Sequence, residues 1–431
     1  MKTYKIIILF ILLFVIYKHL TSSKFTYFDL ISIPSSNLKK YKNVGVIGGG
    51  ISGLNFCKNT QNSLSVHLFE KKKKLGGNNY SSSEKIPMRF SCFLTYNSKA
   101  LKDLVKELNL EVQKINSPEL EIRNNNEIVK NSAIDTFNFL FFNYIPLILK
   151  FNFSKRLESI NIKNELDFNN SIVNYNFKTM CGINLFSDFR DFDRLPSCMI
   201  ARYLELAFKL NYEKHYETIK NGNHLLHEAL VKNIKDNVNI QTNNLIKNII
   251  IDDNKKIILN NKYKFDSIVI CTQPHDASKI LPKNLEPHQS IFKCFEIAKA
   301  YSCVHNYKNV FLKQDSKKCL AWEVIKNNHY LHIDAYFYKL PNIKRPRERF
   351  ITVRYGSAPN IIPNKYIIEE SFTLLSRQIQ SKKKLLNDLL FKLKTNHSNI
   401  FLCNSAYYGF MWHADGVDIS NNISKSFLNV L

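Results

Sequence analysis

The sequence predicts an α/β protein, and three observations along its 431 residues carry that prediction. A short apolar run at Asn43–Ile47 enters a glycine-rich turn, and a helical stretch follows from Leu54. A second apolar run at Leu64–Glu70 ends in an acid, and a third at Phe265–Cys271 is uninterrupted. Short apolar runs separated by a helix are typical of buried parallel strands in βαβ units. The length suggests two or three domains.

The glycine-rich turn reads G-x-G-x-x-G at Gly48, Gly50 and Gly53. With a strand before it, a helix after it and Glu70 closing the second strand, the pattern predicts a dinucleotide-binding domain. The first glycine permits the tight turn, the second lets the backbone approach a pyrophosphate, and the third lets helix and strand pack closely. The helix N-terminus would then face the phosphates. Because Glu70 can accept both ribose hydroxyls, the nucleotide should carry no 2′-phosphate.

A second glycine pair, Gly76-Gly77, follows Glu70 in the spacing E-x5-G-G. Two glycines at this point allow a sharp turn beneath the pyrophosphate that leads the chain toward a flavin ring. The pair therefore favours FAD over NAD. The competing interpretation is an ordinary hairpin turn.

Four further segments resemble the flavin-containing amine oxidoreductase superfamily, which includes phytoene desaturases and monoamine oxidases. They are Arg89–Leu110, Tyr216–Leu230, Phe265–Leu281 and Ser405–Val417. The last, SAYYGFMWHADGV, is similar to the predicted NAD/FAD-binding oxidoreductases associated with cyclopropane-fatty-acid synthases. The resemblance covers most of residues 43–431. It departs from the family at Asn78, Met411 and Ala414, which is typical of a diverged member.

The resemblance implies a Rossmann-type FAD-binding domain joined to a discontinuous α+β substrate domain. We predict the FAD domain over residues 43–95, 216–285 and 395–431, and the substrate domain over 96–215 and 286–394. Together with the motifs, the resemblance assigns the cofactor FAD to Gly48, Gly50, Ile51, Ser52, Gly53, Glu70, Lys71, Gly76, Gly77, Asn78, Leu245, Cys271, Thr272, Asp415, Gly416 and Val417.

Three local patterns predict further elements. Val238–Ile251 and Lys255–Leu259 form a hairpin-like pair. Asp415-Gly416 precedes a final helix that begins at Val417, so the helix N-terminus would face the flavin. A helical stretch is expected from Ile368, and we assign it to the second portion of the substrate domain together with Val353–Pro359.

Three residues near the last block are candidates for catalysis. His413 would donate a hydrogen bond to a substrate carbonyl or transfer a proton, or else form a structural hydrogen bond that shapes the turn. Tyr408 and Trp412 would wall the face of the flavin ring, or else pack in the core. A flavin accepts hydride itself, so no catalytic base is required.

The first twenty residues stand apart from the rest of the chain. Ile6–Tyr17 is an unbroken apolar run between Lys5 and Lys18, which predicts an N-terminal anchor or a cleaved signal peptide. Residues 21–42 would be a linker, and orientation in the membrane is open. The apolar segment Phe137–Phe153 is interpreted either as a buried helix pair or as a lip through which a lipid enters.

The net charge of +25 allows nucleic-acid or membrane binding. No nucleic-acid-binding motif is visible, so we expect no nucleic-acid partner. Nine cysteines, none at C-x-x-C spacing, predict free buried thiols and no metal site.

The features together predict an FAD-dependent oxidoreductase that oxidises or desaturates an apolar, lipid or fatty-acyl substrate. It would act at an endomembrane or in the secretory pathway. Two alternatives stay open: a redox-neutral double-bond isomerase, and a membrane-anchored FAD-binding protein without catalysis.

Overall fold

The structure is a computed structural model, and it describes fifteen segments of the chain. The described residues are 41–77, 99–116, 122–124, 127–128, 194–195, 199–200, 215–220, 222–307, 320–327, 330–337, 349–355, 362–379, 382–395, 399–408 and 412–428. Several predictions fall outside them: the apolar N-terminal segment, linker residues 21–40, Asn78, Phe137–Phe153 and Met411.

Strands and helices alternate in the first part of the described chain, and longer strands dominate the second. The strands are β1 Asn43–Ile47, β2 Ser65–Phe69, β3 Val112–Asn116, β4 Ile122–Asn124, β5 Glu127–Ile128, β6 His215–Ile219, β7 Asn239–Gln241, β8 Ile249–Ile251, β9 Ile257–Leu259, β10 Tyr263–Phe265, β11 Ser267–Ile270, β12 Phe295–His305, β13 Leu320–Asn327, β14 Tyr330–Phe337, β15 Phe350–Tyr355, β16 Ile367–Gln378 and β17 Ile400–Leu402. The helices are α1 Ile51–Thr60, α2 Lys99–Glu107, α3 His224–Lys232, α4 Pro274–Ile280, α5 His288–Phe292, α6 Lys383–Thr395, α7 Ser405–Tyr408 and α8 His413–Leu428.

A five-stranded parallel sheet in the order β17-β11-β1-β2-β7 forms the first layer of the molecule. Its central strands are buried almost entirely, as the continuous apolar runs predict. Helices α1 and α8 pack together against it, with the side-chain amide of Asn55 donating to Ser420 Oγ at 2.6 Å. The ring of Phe427 from α8 lies 5.5 Å from that of Phe56 and 4.9 Å from that of Phe401.

A small antiparallel sheet, β8-β9-β10, packs against this layer. A Cβ on Gly45 would lie 3.0 Å from the Phe265 ring, so the glycine in β1 lets the two sheets approach closely. The prediction of one hairpin arm over Val238–Ile251 is wrong in part. Only Ile249–Ile251 pairs with β9, whereas Asn239–Gln241 continues the parallel sheet beside β2.

A seven-stranded sheet in the order β16-β12-β15-β14-β13-β4-β5 forms the second part. Its described pairs are antiparallel except the parallel pair β13–β4. The helix expected from Ile368 is wrong: Ile367–Gln378 is a twelve-residue strand paired with β12 along its length. Strand β15, Phe350–Tyr355, pairs with both β12 and β14.

Strands β3 and β6 form a separate two-stranded sheet, which shares no strand with the two larger sheets. The cysteines that the structure describes, Cys57, Cys271, Cys294, Cys303 and Cys403, are free and buried, as expected. Within the described residues, none of the helices has the length and apolar character needed to span a bilayer. The boundaries between the two predicted domains stay a prediction.

Candidate cofactor site

The glycine-rich turn leaves the carboxyl end of β1 and enters α1. Gly48 has φ +109°, a left-handed conformation that side chains disfavour, and its amide donates to Phe69 O at 2.8 Å. A Cβ on Gly48 would lie 3.2 Å from the backbone of both Cys271 and Thr272. Gly48 therefore lets β1 turn tightly between its neighbours β2 and β11.

Gly53 and Gly50 serve different purposes at the start of the helix. A Cβ on Gly53 would lie 2.1 Å from the carbonyl oxygen of Gly48, so only glycine fits where α1 crosses the turn. Gly50 is the residue that precedes the helix, and a Cβ there would meet only the Cα of Gly77, at 3.7 Å. The backbone at Gly50 is thus open to close approach. Helix α1 begins at Ile51, three residues before the predicted start, so Ile51 and Ser52 lie in its first turn.

The second glycine pair packs directly on the first loop. The Gly76 amide donates to the carbonyl of Gly49 at 2.8 Å. Gly77 has φ +59°, and its Cβ would lie 2.8 Å from the Cα of Gly50. Two backbones therefore meet without side chains between them at the point where α1 begins. A simple hairpin turn would not require this contact.

Glu70 lies at the end of β2, is 6% exposed, and points back toward the glycine turn. One carboxylate oxygen accepts the Gly49 amide at 2.7 Å, and the other accepts the Lys72 amide at 2.9 Å. Each carboxylate oxygen has a second acceptor position. Glu70 is thus held in place with capacity left for two ribose hydroxyls.

A cavity of about 260 Å³ opens beside Glu70 at the carboxyl ends of β1, β2 and β11. This is the location at which open α/β sheets bind nucleotides. The hydroxyl of Thr272 is buried there and has no hydrogen-bond partner among the described residues. The cavity is lined by Ile47, Gly48, Phe69, Glu70, Lys71, Asn244, Leu245, Ile246, Lys247, Thr272, Asp276, Lys279 and Ile280.

The residues present fit a dinucleotide. The cavity and Glu70 would hold the adenosine half, Thr272 offers it an unused hydroxyl, and Gly50 leaves the backbone open to the pyrophosphate. Leu245 lines the cavity, and its carbonyl accepts the side-chain amide of Asn260 at 2.9 Å. A contact between Leu245 and the cofactor stays a prediction.

Cys271 lies behind the glycine turn, with its Cβ 3.5 Å from the Cβ that Gly53 would carry. The Asn404 side chain donates to its carbonyl at 2.9 Å. Burial, together with the neighbouring Cys403, raises the pKa of the Cys271 thiol well above its usual value. Cys271 thus supports the loop from behind with a protonated, unreactive thiol.

The final helix begins at His413, so the predicted start at Val417 is wrong. Asp415 lies inside the first turn, where its carboxylate accepts the Trp412 amide at 3.1 Å, and this cap extends the helix toward its N-terminus. A Cβ on Gly416 would lie 2.7 Å from Ile51 Cγ2. Gly416 therefore brings the first turn of α8 against the first turn of α1, and Val417 is fully buried beside it.

The three catalytic candidates have different surroundings. The ring of His413 lies 5.6 Å from that of His227. Burial lowers the pKa of His413 to about 4, and burial together with His413 lowers that of His227 to about 3. His413 is thus a neutral imidazole at neutral pH, able to donate one hydrogen bond. Trp412 is partly buried, and its role stays a prediction.

Tyr408 is buried, with its ring 6.0 Å from that of Tyr407, and burial raises its pKa. This environment favours the interpretation of Tyr408 as a core residue.

Sequence reasoning missed part of the rim of the cavity. The carboxylate of Asp276 lies 2.8 Å from the ammonium of Lys71 at the cavity. Lys279 and Asn244 also line the cavity. No sequence signal links these residues, because Lys71 and Asp276 are 205 positions apart.

We compared the sequence and the fold with those of known proteins. The family of NAD(P)-binding Rossmann-like domains matches residues 46–108. A search of curated proteins found no significant match.

Several solved structures are similar over nearly the whole chain. A fatty acid isomerase from P. acnes that produces CLA has 12% identity and a TM-score of 0.67, covering 90% of this chain and 99% of its own. Cyclohexylamine oxidase from Brevibacterium oxydans IH-35A has 12% identity and a TM-score of 0.66, covering 90% and 98%. Putrescine oxidase bound to putrescine has 10% identity and a TM-score of 0.65, covering 90% and 99%.

The comparisons confirm the predicted fold class, and they show that the chain shares its fold with the fatty acid isomerase and the two oxidases. The family match over residues 46–108 also supports a dinucleotide cofactor. At this level of identity they do not transfer a substrate.

Proposed function

We propose that the protein is an FAD-dependent oxidoreductase that acts on an apolar lipid or fatty-acyl substrate. The observation that carries the proposal is the contact between the two glycine loops. Gly77 meets Gly50 backbone to backbone at the start of α1, beside a cavity that contains a constrained Glu70. FAD combines an adenosine, a pyrophosphate that needs close backbone approach, and a ring that extends beyond the second loop.

The residues of the chain would hold this cofactor at three points. Glu70 and Thr272 would bind the adenosine half, and the amides at the start of α1 would bind the pyrophosphate. The first turn of α8 would face the flavin ring, where its N-terminal dipole stabilises negative charge. When bound, the flavin supplies the hydride-accepting centre.

His413, at the start of α8, would orient the substrate. Its neutral imidazole donates one hydrogen bond and carries no charge into an apolar site. Trp412 would wall the site beside it. The contribution of the protein is thus to position the substrate and exclude water.

An apolar substrate is supported by three features. The fatty acid isomerase from P. acnes is similar in fold over 90% of the chain. The sequence Phe137–Phe153 has the composition of a lipid-entry lip. The apolar run Ile6–Tyr17 would anchor the enzyme beside a membrane in which such a substrate dissolves.

The second candidate is a redox-neutral double-bond isomerase. The same fold similarity favours it, because that neighbour is a fatty acid isomerase. An amine substrate is a third possibility to be tested, since two neighbours are amine oxidases.

Anaerobic flavin spectroscopy on the full-length protein tests the proposal. Purified protein is reconstituted with FAD and mixed without oxygen with an unsaturated fatty acid, a saturated fatty acid or putrescine. The visible flavin absorbance and the mass of the lipid product are followed together. His413→Gln serves as a matched variant that keeps one hydrogen-bond donor, and His288→Gln serves as a control at a buried histidine on a different helix.

Each outcome separates the candidates. Bleaching with a fatty acid and a product two hydrogens poorer supports the oxidoreductase. A rearranged product without net bleaching supports the isomerase. Bleaching with putrescine alone contradicts the lipid substrate, and protein that takes up no FAD contradicts both enzyme functions.

A further inference from the structure

The mouth of the nucleotide cavity is crossed by an ion pair. Lys71 follows β2 and Asp276 lies on α4 after β11, and these two strands flank β1 on either side. The ammonium of Lys71 lies 2.8 Å from a carboxylate oxygen of Asp276. Because β1 leads into the glycine turn, the pair spans the cleft in which the cofactor would lie.

Both partners belong to the cavity itself, since their side chains line it together with Glu70 and Thr272. They are 45% and 28% exposed, so the pair lies at the rim rather than in the core. A ligand bound in the cavity would therefore lie beside this pair.

Asp276 gathers a second cation at the same rim. The ammonium of Lys279 lies 3.8 Å from its other carboxylate oxygen. Burial raises the pKa of Asp276, but the hydrogen bond and charge of Lys71, with His275 and Lys279, lower it below its ordinary value overall. Asp276 is thus ionised at neutral pH and bound to lysines on two elements.

Helix α4 is held in position from the other side. The His275 amide donates to Ser376 Oγ at 3.0 Å, and the His275 ring nitrogen Nδ1 lies 2.8 Å from the same oxygen. Ser376 belongs to β16 of the seven-stranded sheet. Asp276 therefore projects toward Lys71 from a fixed helix.

We propose that Asp276 is a positioning residue for the cofactor: it holds Lys71 as a strap over the adenosine half of bound FAD and slows its release. The proposal rests on FAD as the cofactor of the proposed function. In this proposal, Lys71 acts as one half of the ion pair with Asp276 and does not contact the cofactor phosphates.

Release of FAD distinguishes the strap from direct contact. FAD-loaded full-length protein is mixed with an excess of an FAD-specific apoenzyme, apo-glucose oxidase, as a trap, and the recovery of glucose oxidase activity gives the dissociation rate. Lys71→Ala and Asp276→Asn should each accelerate release, by roughly two- to fivefold for a half-exposed ion pair. The double variant should release FAD no faster than either single variant, because both residues act through one interaction.

The matched control is Lys264→Ala. Lys264 pairs with Asp252 at 2.7 Å, with exposures of 55% and 21%, in the hairpin sheet away from the cavity. This variant should release FAD at the wild-type rate. The exchanged variant, Lys71→Asp with Asp276→Lys, restores the pair and should return the release rate toward wild type, which also covers a single variant that folds poorly.

Three results would overturn the strap. Release of FAD from Asp276→Asn more slowly than from wild type would show that Lys71 contacts the phosphates directly, because the substitution frees its charge. Wild-type rates in both single variants would show that the pair does not restrain the cofactor. Wild-type protein that binds no FAD would contradict the proposed function and the strap with it, whereas the first two results leave FAD binding intact.

Discussion

The five-stranded and seven-stranded sheets differ in what restricts their residues. At the glycine turns beside the five-stranded sheet, close backbone contacts restrict the sequence: a Cβ on Gly53 would lie 2.1 Å from a backbone oxygen, and one on Gly77 would lie 2.8 Å from a backbone carbon. In the seven-stranded sheet, the alternation of more and less exposed positions along a strand restricts the sequence. The first eight residues of β16 alternate between more and less exposed, and Phe372 is 73% exposed. The glycine turns at Gly48–Gly53 and Gly76-Gly77, which we call the cofactor cradle, therefore tolerate few substitutions. The exposed face of the seven-stranded sheet tolerates many.

Gly53→Ala tests the most closely packed glycine of the cradle and should have the largest effect on stability. The added methyl group overlaps the backbone of Gly48, which no rotation of a side chain relieves. We expect the free energy of unfolding to fall by about 3 kcal/mol or more. Chemical denaturation measures it.

Gly50→Ala is the control for that variant, because its Cβ meets only one atom at an ordinary 3.7 Å. It should unfold within about 1 kcal/mol of wild type. Equal losses in the two variants would show that the turn is less constrained at Gly53 than its geometry indicates.

Gly416→Ala should have a smaller effect, at the point where the first turn of α8 meets that of α1. Its Cβ would meet two side chains, Ile51 Cγ2 at 2.7 Å and Ser52 Oγ at 3.0 Å, and side chains can move. We expect a loss of about 2 kcal/mol of unfolding free energy. Ile51→Ala in the same chain removes Cγ2 and should recover part of it relative to the Ile51→Ala single variant, and no recovery would place the strain elsewhere.

His305 in the seven-stranded sheet predicts a pH effect. It is fully buried, its Nε2 lies 2.9 Å from Thr352 Oγ1, and burial lowers its pKa to about 4. The unfolded chain binds a proton below pH ~6.5 while the folded chain does not, so stability falls as pH decreases from ~6.5 to about 4. From pH 7 to pH 5 this histidine should remove about 1–2 kcal/mol.

His305→Gln tests that effect, because glutamine keeps a group for Thr352 and removes the titration. The stability difference between pH 7 and pH 5 should shrink by that amount, measured by denaturation at both values. An unchanged difference would mean that His305 is charged or accessible in the folded protein.

Phe372→Ser should have the smallest effect. The side chain is largely exposed, and its ring lies 4.8 Å from that of Tyr301. We expect a change within about 0.5 kcal/mol, and unchanged FAD binding. Val353→Ala, at a buried position in the same sheet, should cost at least ~1 kcal/mol. A large loss from Phe372→Ser would indicate that another surface covers this face.

The same difference explains what could be predicted from the sequence. The glycine turn and Glu70 were predictable because their constraints lie within one short segment. β16 was mistaken for a helix because Ile368, Phe372 and Leu375 have helical spacing, and its pairing with β12 is a contact between distant segments. The start of α8 was misplaced because the Asp415 cap depends on side-chain geometry.

Residues that meet only in three dimensions were not predictable. Lys71 and Asp276 approach because β2 and β11 flank β1, and neither local spacing nor composition shows this. The pairing of His413 with His227 has the same origin, since they lie on different helices. The cradle is thus encoded locally, while its rim depends on the complete fold.

Flavin stoichiometry tests the central claim most directly. Wild-type protein and Gly50→Val are each incubated with FAD, desalted and measured for bound flavin, with thermal unfolding recorded for both. We predict about one FAD per wild-type chain, because the chain has one such cradle in its described part. We predict none in Gly50→Val with a similar unfolding transition, because the side chain blocks the approach of the pyrophosphate to an open backbone. Equal flavin content in the two proteins would contradict the placement of FAD at this turn.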